Sequence, residues 1–406
     1  MAVGPATFPE KMFPVAGFKL GTTSAGIKTP GRKDLVLMEL CEGATVAGVF
    51  TKNAFCAAPV TICKQHLSAA EPRYLVVNTG NANAGTGVTG FNDAMLTCTE
   101  VAKLFAVTEQ AVLPFSTGVI GEKLPIEKIL AALPAAKENL SEEGWADAGE
   151  GILTTDTRSK GASVQFEYQG QVVTLTGIAK GSGMIKPNMA TMLGYVATDA
   201  KVSQDMLQRL LTDATNASFN RITVDSDTST NDACILVATG KSGVEVFADD
   251  AALLACFSEA LHHVMQQLAH AIIRDGEGAT KFVTIQVESA SSQDEALRTA
   301  YDIAHSPLVK TALFASDPNW GRILAVVGRA GIENLDLDAL QIYLGDVCIV
   351  SKGGRDALYT EEAGQAVMDK EEILIRVVLN RGAVSETVWT TDLSHDYVSI
   401  NADYRS

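Results

Sequence analysis

Residues 186–193, with the sequence KPNMATML, place a small residue and a hydroxyl residue where a polar loop meets an apolar run. One interpretation is the ordinary start of a strand. The other is that the chain is cut between Ala190 and Thr191, so that Thr191 becomes a new N-terminus. An N-terminal threonine carries a hydroxyl nucleophile beside an α-amine that titrates at about 7.7 to 8.0 in model peptides. That amine can accept the hydroxyl proton near pH 8, whereas the amide of an intact chain cannot.

Three other polar segments carry hydroxyl groups that could act beside such a nucleophile. They are residues 116–118 in PFSTGVIG, residues 154–157 in LTTDT, and the GSGMIK segment that precedes Thr191. We expect all three to be loops. A threonine followed by a glycine, as at Thr117 and Gly118, can offer a hydroxyl and a backbone N–H side by side, which is the donor pair of an oxyanion hole. An ordinary turn is the simpler interpretation of each segment alone.

Other motifs match known sites only in part. GTGVTG has the glycine spacing of dinucleotide-binding proteins, but the preceding strand is expected to end several residues earlier. DSDTSTND begins like a calcium-binding loop, yet its sixth position is Thr230 and its twelfth is Leu236, where such loops have glycine and glutamate. The six histidines include no pair with zinc-site spacing. We therefore predict no metal site, and these mismatches argue against a nucleotide site at GTGVTG.

Composition limits the partners. The net charge of −16 argues against nucleic acid and anionic membranes. No apolar run reaches the roughly 20 residues that span a bilayer, and the first residues lack the apolar core of a signal peptide. Seven scattered cysteines without C-x-x-C spacing are typical of reduced thiols. We expect a cytoplasmic protein.

Short runs rich in Val and Leu alternate with helical patterns, which predicts a mixed α/β fold with substantial antiparallel pairing. One helix is expected in NDAMLTCTEVAKLF with Asn92 as its N-cap, and another in PIEKILAALPAAKENL, whose first half should end at Pro134. Ser203 is expected to cap a third helix, and a long amphipathic helix should run from about Asp250 to Arg274. The last third of the chain predicts strands at KFVTIQVES, QIYLGDVCIV, EILIRVVLN and SETVWTTDL.

Eight segments, taken together and in order, carry a family resemblance. They are GNANAGTG, PFSTGVIGEKLP, TTDT, GIAKGSGMIKPNMATML, DSDTSTND, AIIRDGEGATKF, ASDPNWGRI and YVSINADYRS. From about Gly17 to Ser406 the chain resembles the ornithine acetyltransferase, or glutamate N-acetyltransferase, family of arginine biosynthesis. The resemblance implies a four-layer αββα sandwich with mixed sheets.

The resemblance also implies roles for individual residues. Members of this family cleave themselves between the Ala and the Thr of MATML, which implies cleavage at Ala190–Thr191 into an α chain of residues 1–190 and a β chain of residues 191–406. Thr191 is then the nucleophile, and Thr117 and Gly118 form the oxyanion hole. The implied substrate contacts are Thr154, Lys180, Thr191, Glu277, Asn401 and Ser406.

The implied reaction moves an acetyl group from N2-acetylornithine to Thr191 and then to glutamate, giving ornithine and N-acetylglutamate. Lys180 suits a substrate carboxylate, and Glu277 suits the side-chain ammonium of ornithine. No cofactor is implied, although some members also take acetyl groups from acetyl-CoA. The implied assembly pairs two α chains with two β chains.

Two alternatives remain open. An N-terminal-nucleophile amidohydrolase would use water instead of glutamate as the acceptor, and incubation with N2-acetylornithine with and without glutamate separates the two. A nucleotide-binding module built on GTGVTG would respond to NAD or ATP in a thermal-shift experiment.

Overall fold

The structure, a computed structural model, describes residues 2–6, 8–186 and 192–403. The chain divides into two units. The first unit comprises Ala6–Asn220 and Asp227–Ile272, and the second comprises Met1–Pro5, Arg221–Ser226 and Ile273–Ser406.

The strands of the described residues are, in chain order, β1 (Phe18–Thr23), β2 (Leu35–Leu40), β3 (Thr45–Phe50), β4 (Tyr74–Asn81), β5 (Val112–Val119), β6 (Lys160–Tyr168), β7 (Gln171–Lys180), β8 (Leu193–Thr198), β9 (Lys201–Val202), β10 (Ile222–Thr223), β11 (Ala233–Ala238), β12 (Glu245–Val246), β13 (Phe282–Ala290), β14 (Gln341–Leu344), β15 (Val347–Ser351), β16 (Gly354–Arg355), β17 (Glu372–Val378) and β18 (Val384–Thr391). The helices are α1 (Ala58–Ala69), α2 (Gly87–Phe105), α3 (Ile126–Glu138), α4 (Trp145–Gly151), α5 (Gln204–Ala217), α6 (Ala251–Arg274), α7 (Gln293–Ala304), α8 (Pro307–Phe314), α9 (Trp320–Arg329), α10 (Glu361–Met368) and α11 (His395–Ala402).

Two large sheets face each other in the first unit. One has the strand order β1-β2-β4-β5, and the other has the order β3-β11-β8-β7-β6. Apolar side chains of both sheets share one core, to which Phe115 of the first sheet and Ile178 and Tyr195 of the second belong. The rings of Phe115 and Tyr195 meet edge to face with centroids 5.3 Å apart. The two sheets are therefore packed face to face.

Strand β2 shows why these strands lack an alternating sequence. Val36 and Met38 belong to the core between the two sheets, whereas Leu35 and Leu37 belong to a second core with residues of α2 and α3. Both faces of the strand are covered, so LVLMEL is apolar almost throughout.

Helices cover the outer faces of both sheets. Val101 of α2 and Ile129 of α3 pack in the core that contains Leu37. On the other side, α5 contacts β3 and β11, and Leu268 of α6 lies against Gly177 of β7. The layers run helix, sheet, sheet, helix, so the predicted αββα sandwich is confirmed in this unit.

The second unit is built on a seven-stranded mixed sheet with the order β10-β18-β13-β17-β14-β15-β16. Its core contains Val283 and Ile285 of β13, Ile303 of α7 and Val327 of α9. The amphipathic helices α7 and α9 thereby cover the central strands.

Three helix and strand predictions are wrong in detail. Helix α2 begins at Gly87 after Thr86, so Asn92 lies inside the helix. Helix α3 continues through Pro134, because Leu133 and Ala136 stay buried in the core and compensate for the backbone hydrogen bond that proline cannot make. QIYLGDVCIV forms the two antiparallel strands β14 and β15 instead of one. The long helix around residues 250–274 is confirmed as α6, and Ser203 lies at the start of α5, although its side chain makes no capping hydrogen bond.

The five-stranded sheet contains strands from both sides of the predicted cleavage point. β7 pairs antiparallel with β8, and β3 pairs antiparallel with β11. Residues from both sides of position 190 therefore contribute to the first unit. The peptide bond between residues 190 and 191 lies outside the described residues, and the division into an α and a β chain stays a prediction.

Candidate active site

Thr117 and Gly118 lie near the end of β5, so the loop predicted at residues 116–118 is wrong. They pair with Thr79 and Gly80 of the parallel neighbour β4. Serine, threonine and glycine differ in their propensity for strands, so their types alone do not predict one here. The pairing with the buried parallel strand β4 decides the conformation. The strand end gives the Thr117 side chain a defined direction.

Gly118 is the residue at which the two strand ends come closest. Its φ is +134°, and a Cβ atom on it would lie 2.3 Å from the carbonyl carbon of Gly80 and 2.5 Å from the backbone nitrogen of Asn81. Only glycine fits this backbone. Any side chain here would push the end of β5 away from β4.

Lys180 is the last residue of β7 and pairs with Leu193 of β8. Its Nζ donates a hydrogen bond to Oγ1 of Thr117 over 3.3 Å. An ammonium group only donates, so the Thr117 hydroxyl accepts this bond and keeps its own hydrogen for another acceptor. A cation and a hydroxyl donor therefore meet at the ends of β5 and β7, which suits a negatively charged oxygen.

Asp156 lies behind Lys180, and its side chain is 0 % exposed. Its Oδ1 accepts from Lys160 Nζ at 2.6 Å and from the Gly181 N–H at 2.7 Å. Lys180 Nζ lies 3.9 Å from its Oδ2. Burial alone would raise the pKa of this carboxyl, but the two ammonium groups and the Gly181 N–H outweigh burial and hold the pKa well below its usual range. Asp156 is therefore an anion at neutral pH.

Thr154 belongs to the same cluster through its backbone. Its N–H donates to Oδ2 of Asp156 at 3.1 Å, and its carbonyl accepts from an Arg32 guanidinium nitrogen at 3.0 Å. Of the predicted substrate contacts, Thr154 and Lys180 are thus brought together around Asp156, with Thr117 next to Lys180.

The end of the DSDTSTND segment packs against this part of the first unit. Asn231 Nδ2 donates to the carbonyls of Ala82 and Ser116. Burial raises the pKa of the neighbouring Asp232 carboxyl well above its usual range, against the opposing hydrogen bonds of Ser229 and the charge of Lys180. Burial thus disfavours the charged form of Asp232.

Glu277 and Asn401 lie in the second unit. Asn401 Nδ2 donates to Oε2 of Glu277 at 2.8 Å and to the carbonyl of Tyr397 at 3.0 Å. Glu277 is buried, and it lies just after α6, whereas Asn401 is on α11. Two of the predicted substrate-binding residues are therefore in contact with each other.

Gly278 makes this contact sterically feasible. Its φ is +68°, and a Cβ atom on it would lie 2.4 Å from the Tyr397 nitrogen. Ser394 Oγ donates to the Gly278 carbonyl, and Asp392 accepts from the backbone and hydroxyl of Thr280. These bonds fasten the C-terminal segment to the GEGATK loop.

Three predicted residues, Ala190, Thr191 and Ser406, lie outside the described residues. Within the described part of the chain, no group of three or more His, Cys, Asp or Glu side chains is placed to hold a metal ion. Among the same residues, no helix is long and apolar enough to cross a membrane.

The sequence analysis missed Asp156, Lys160 and Asn231. Asp156 lies within the quoted motif TTDT, and the i, i+4 spacing of an acid and a base in DTRSK was visible. Nothing in that spacing shows that both side chains are buried, because an exposed pair has the same pattern.

Comparison with known proteins agrees with the motifs. The ArgJ family model matches residues 19–406. The chain is 59% identical over 407 residues, covering 100% of both chains, to the arginine biosynthesis bifunctional protein ArgJ of Pseudomonas fluorescens.

Solved structures are also similar. One is the arginine biosynthesis bifunctional protein of Bacillus halodurans, with 37% identity and a TM-score of 0.49, covering 51% of this chain and 97% of that one. Another is the ornithine acetyltransferase of Mycobacterium tuberculosis in complex with ornithine, with 35% identity and a TM-score of 0.39, covering 44% of this chain and 94% of that one. On the family match and the full-length identity, the chain belongs to the ArgJ family.

Proposed function

We propose that this protein moves the acetyl group of N2-acetylornithine to glutamate through an acetyl ester on Thr191. Acetyl transfer in arginine biosynthesis follows from membership of the family, whose model matches residues 19–406. The observation that best supports the chemistry is the bond between the Lys180 ammonium and the Thr117 hydroxyl. It puts a cation beside a hydroxyl donor at the predicted oxyanion hole.

The first step makes the nucleophile. The Thr191 hydroxyl attacks the Ala190 carbonyl, the peptide C–N bond breaks, and water opens the resulting ester. The freed α-amine of Thr191 then takes the hydroxyl proton in each later attack. Asp232, a buried carboxyl whose pKa is raised by burial, precedes Ala233, and the Ala233 N–H donates to the carbonyl of Met192, the residue that follows Thr191 in the sequence.

The second step transfers the acetyl group. Thr191 Oγ attacks the acetyl carbonyl, the amide C–N bond breaks, and ornithine leaves with the proton from the threonine amine. The amine of glutamate then attacks the ester and restores the hydroxyl. Negative charge develops on the acetyl oxygen in both attacks, and Thr117 and Gly118 stabilise it there.

Charged side chains recognise the ends of the substrates. Lys180 binds the α-carboxylate that N2-acetylornithine and glutamate share, with Thr154 beside it. Glu277, held by Asn401, binds the side-chain ammonium of ornithine, and Ser406 completes the substrate contacts. The reaction needs no cofactor, and acetyl-CoA is an alternative acetyl donor. We further propose an α2β2 assembly in the cytoplasm.

The test is the Thr191→Ala variant. It should remain a single chain of 42.9 kDa and transfer no acetyl group, because it lacks the hydroxyl, whereas Thr191→Ser should cleave at least in part. The measurements are intact mass and ornithine release from N2-acetylornithine with and without glutamate. Two chains in the alanine variant would refute the role of Thr191 as the nucleophile. Ornithine release by the unaltered protein without any formation of N-acetylglutamate would favour the amidohydrolase.

A further inference from the structure

The strand that carries the predicted oxyanion hole is held along its outer edge by side chains. In the described part of the chain, β5 ends the four-stranded sheet and pairs with β4 alone. Every second carbonyl of such an edge strand points away from its neighbour and needs a donor from elsewhere. Three alternate carbonyls of β5 accept from side chains: Val112 from His66 at 2.7 Å, Pro114 from Cys63 at 3.0 Å, and Ser116 from Asn231 at 2.9 Å. Asn231 therefore supplies the donor nearest to Thr117.

The side chain of Asn231 joins the ends of β4 and β5. Its Nδ2 donates to the Ser116 carbonyl in β5 and, at 2.6 Å, to the carbonyl of Ala82, directly after β4. Its Oδ1 accepts from the hydroxyl of Thr230 at 2.6 Å. A carboxamide nitrogen has two hydrogens to donate, and Asn231 uses both on backbone carbonyls. A hydroxyl has one hydrogen and a carboxylate has none, so neither could hold both carbonyls.

The backbone on both sides of Asn231 is fixed. The carbonyl of Thr230, the residue before it, accepts from the Ala57 N–H over 3.0 Å. The carbonyl of Asp232, the residue after it, accepts from the Thr51 N–H over 3.0 Å. The end of the DSDTSTND segment is thus bound to the chain between β3 and α1, and the Asn231 side chain extends from a firmly held base.

The bond to Ser116 acts on the peptide group that leads into Thr117. A peptide group is planar, so its carbonyl and the N–H of the next residue turn together. Holding the Ser116 carbonyl at the outer edge of the sheet therefore fixes the Thr117 N–H and restricts the direction of the Thr117 side chain. The bond to Ala82 holds the chain just beyond the end of β4, against which Gly118 packs.

We propose that Asn231 is a positioning residue for acetyl transfer. It holds the ends of β4 and β5 so that the Thr117 hydroxyl and the Gly118 N–H keep the geometry that binds the acetyl oxygen in the transition state. The inference rests on the proposed role of Thr117 and Gly118 as the oxyanion hole. It gives the DSDTSTND segment, whose pattern matches a calcium loop only at its start, a function in the same reaction.

The first test is Asn231→Ala, which removes both donors. After two chains have been confirmed by mass, steady-state kinetics should show a fall in kcat of about tenfold to a hundredfold, because a displacement of about 1 Å can cost on the order of 10² in rate. KM for both substrates should change little, since the oxyanion is present only in the transition state. A kcat within twofold of normal would overturn the proposal.

The matched control is His66→Phe. It removes the donor to the Val112 carbonyl, on the same edge of β5, and keeps an aromatic ring of similar size. This variant should have a lowered Tm and a normal kcat. A merely structural role of Asn231 predicts the same pair of results for Asn231→Ala. An equal fall in kcat in both variants would also count against the proposal, because any loss along the edge would then suffice.

The double variant Thr117→Ala with Asn231→Ala tests whether Asn231 acts through Thr117. Once the Thr117 hydroxyl is gone, its position no longer matters, so kcat should fall by less than the product of the two single effects. Effects that multiply in full would show that Asn231 acts independently of the predicted oxyanion hole, and the proposal would be wrong.

Hydrogen–deuterium exchange provides a readout that needs neither turnover nor cleavage. Backbone N–H groups of residues 116–119 should exchange faster in Asn231→Ala than in the unaltered protein or in His66→Phe, and unchanged exchange would overturn the proposal. If Asn231→Ala does not fold, Asn231→Leu, which keeps the volume and lacks the donors, is measured in the same way. An unaltered protein that transfers no acetyl group would refute the proposed function, whereas the exchange rates would still decide whether Asn231 holds the end of β5.

Discussion

Two buried lysines, one in each unit, are held in opposite ways. Lys180 in the first unit lies between a carboxylate, Asp156, and a hydroxyl, Thr117. Lys310 in the second unit donates to the hydroxyls of Thr390 and Thr391 and to the Thr391 carbonyl, all on or beside the end of β18. Within the described residues, no carboxylate lies at ion-pair distance from Lys310.

The difference separates two uses of a buried cation. Lys310 donates its hydrogen bonds to neutral oxygens and thereby joins α8 to β18. Its contribution is therefore to the stability of the fold. The first unit holds a third charge, Lys160, whose Nζ lies 2.6 Å from the Asp156 carboxylate, whereas Lys180 Nζ lies 3.9 Å from it. Under the proposed function the cluster around Lys180 serves chemistry, whereas Lys310 serves stability.

The largest expected effect comes from Thr117→Ala. The loss of one oxyanion donor should lower kcat by on the order of 10²–10³, or about 3 to 4 kcal/mol, with little change in Tm. The measurements are steady-state kinetics and thermal unfolding. Thr97→Ala is the matched control, since it removes another buried hydroxyl of the same unit, one bonded only within α2. A Thr117→Ala variant with a lowered Tm and a normal kcat would contradict the comparison with Lys310, because Thr117 would then have a structural role.

The next effect concerns Lys310 and pH. Burial lowers the pKa of Lys310 from 10.5 to about 8, against the opposing charges of Asp392 and Asp225. Between these values the unfolded chain binds a proton that the folded protein does not, so the free energy of unfolding rises with pH from about 8 to 10.5. At about 1.4 kcal/mol per pH unit the gain is at most about 3 kcal/mol.

Denaturant unfolding of the unaltered protein and of Lys310→Met at pH 7.5 and pH 10 measures this gain. From pH 7.5 to pH 10 the free energy of unfolding of the unaltered protein should rise relative to that of Lys310→Met. The kcat at pH 8 should be the same in both proteins. Lys370→Met, at an exposed position of the same unit, serves as control. A difference that is independent of pH would show that Lys310 does not titrate in this window.

The smallest expected effect is that of Glu277→Gln. Loss of a charged hydrogen-bond acceptor removes about 1.5 to 3 kcal/mol, so KM for N2-acetylornithine should rise roughly tenfold to a hundredfold. KM for glutamate should rise much less, because glutamate has no side-chain ammonium. Glu295→Gln, another buried carboxylate of the second unit, paired with Arg381, should alter stability and leave the ratio of the two KM values unchanged. Equal rises for both substrates would make Glu277 a structural residue.

Periodicity and length predicted most of the fold. The apolar runs around β2, β3 and β4 and the long pattern of α6 were identified because burial on both faces, or on one helical stripe, leaves a clear pattern. The end of β5 was missed because Ser116, Thr117 and Gly118 form a strand only when β4 lies beside them. The C-terminal segment contains Tyr397, Val398 and Ile400, which favour strands, yet Ser394 caps a helix there.

The candidate site was predictable by residue type and not by arrangement. The motifs named Thr117, Lys180, Glu277 and Asn401, and the structure places the first two in contact with each other and the last two in contact with each other. The burial of Asp156 and Lys160 depends on how β6, β7 and the TTDT segment pack. The spacing of four residues between Asp156 and Lys160 does not predict that packing.

The interleaved order of the five-stranded sheet has a consequence for refolding. Strands β3, β6 and β7 precede position 190, whereas β8 and β11 follow it, and the pairings β3–β11 and β7–β8 bridge the two groups. Before cleavage these pairings form within one chain. If the chain is cleaved as proposed, the two fragments share one sheet, and once unfolded they must find each other in solution, so recovery would become second order and depend on protein concentration. Cleavage would thus turn a reversible unimolecular folding reaction into a bimolecular one, and the mature enzyme would persist through slow unfolding instead of ready refolding.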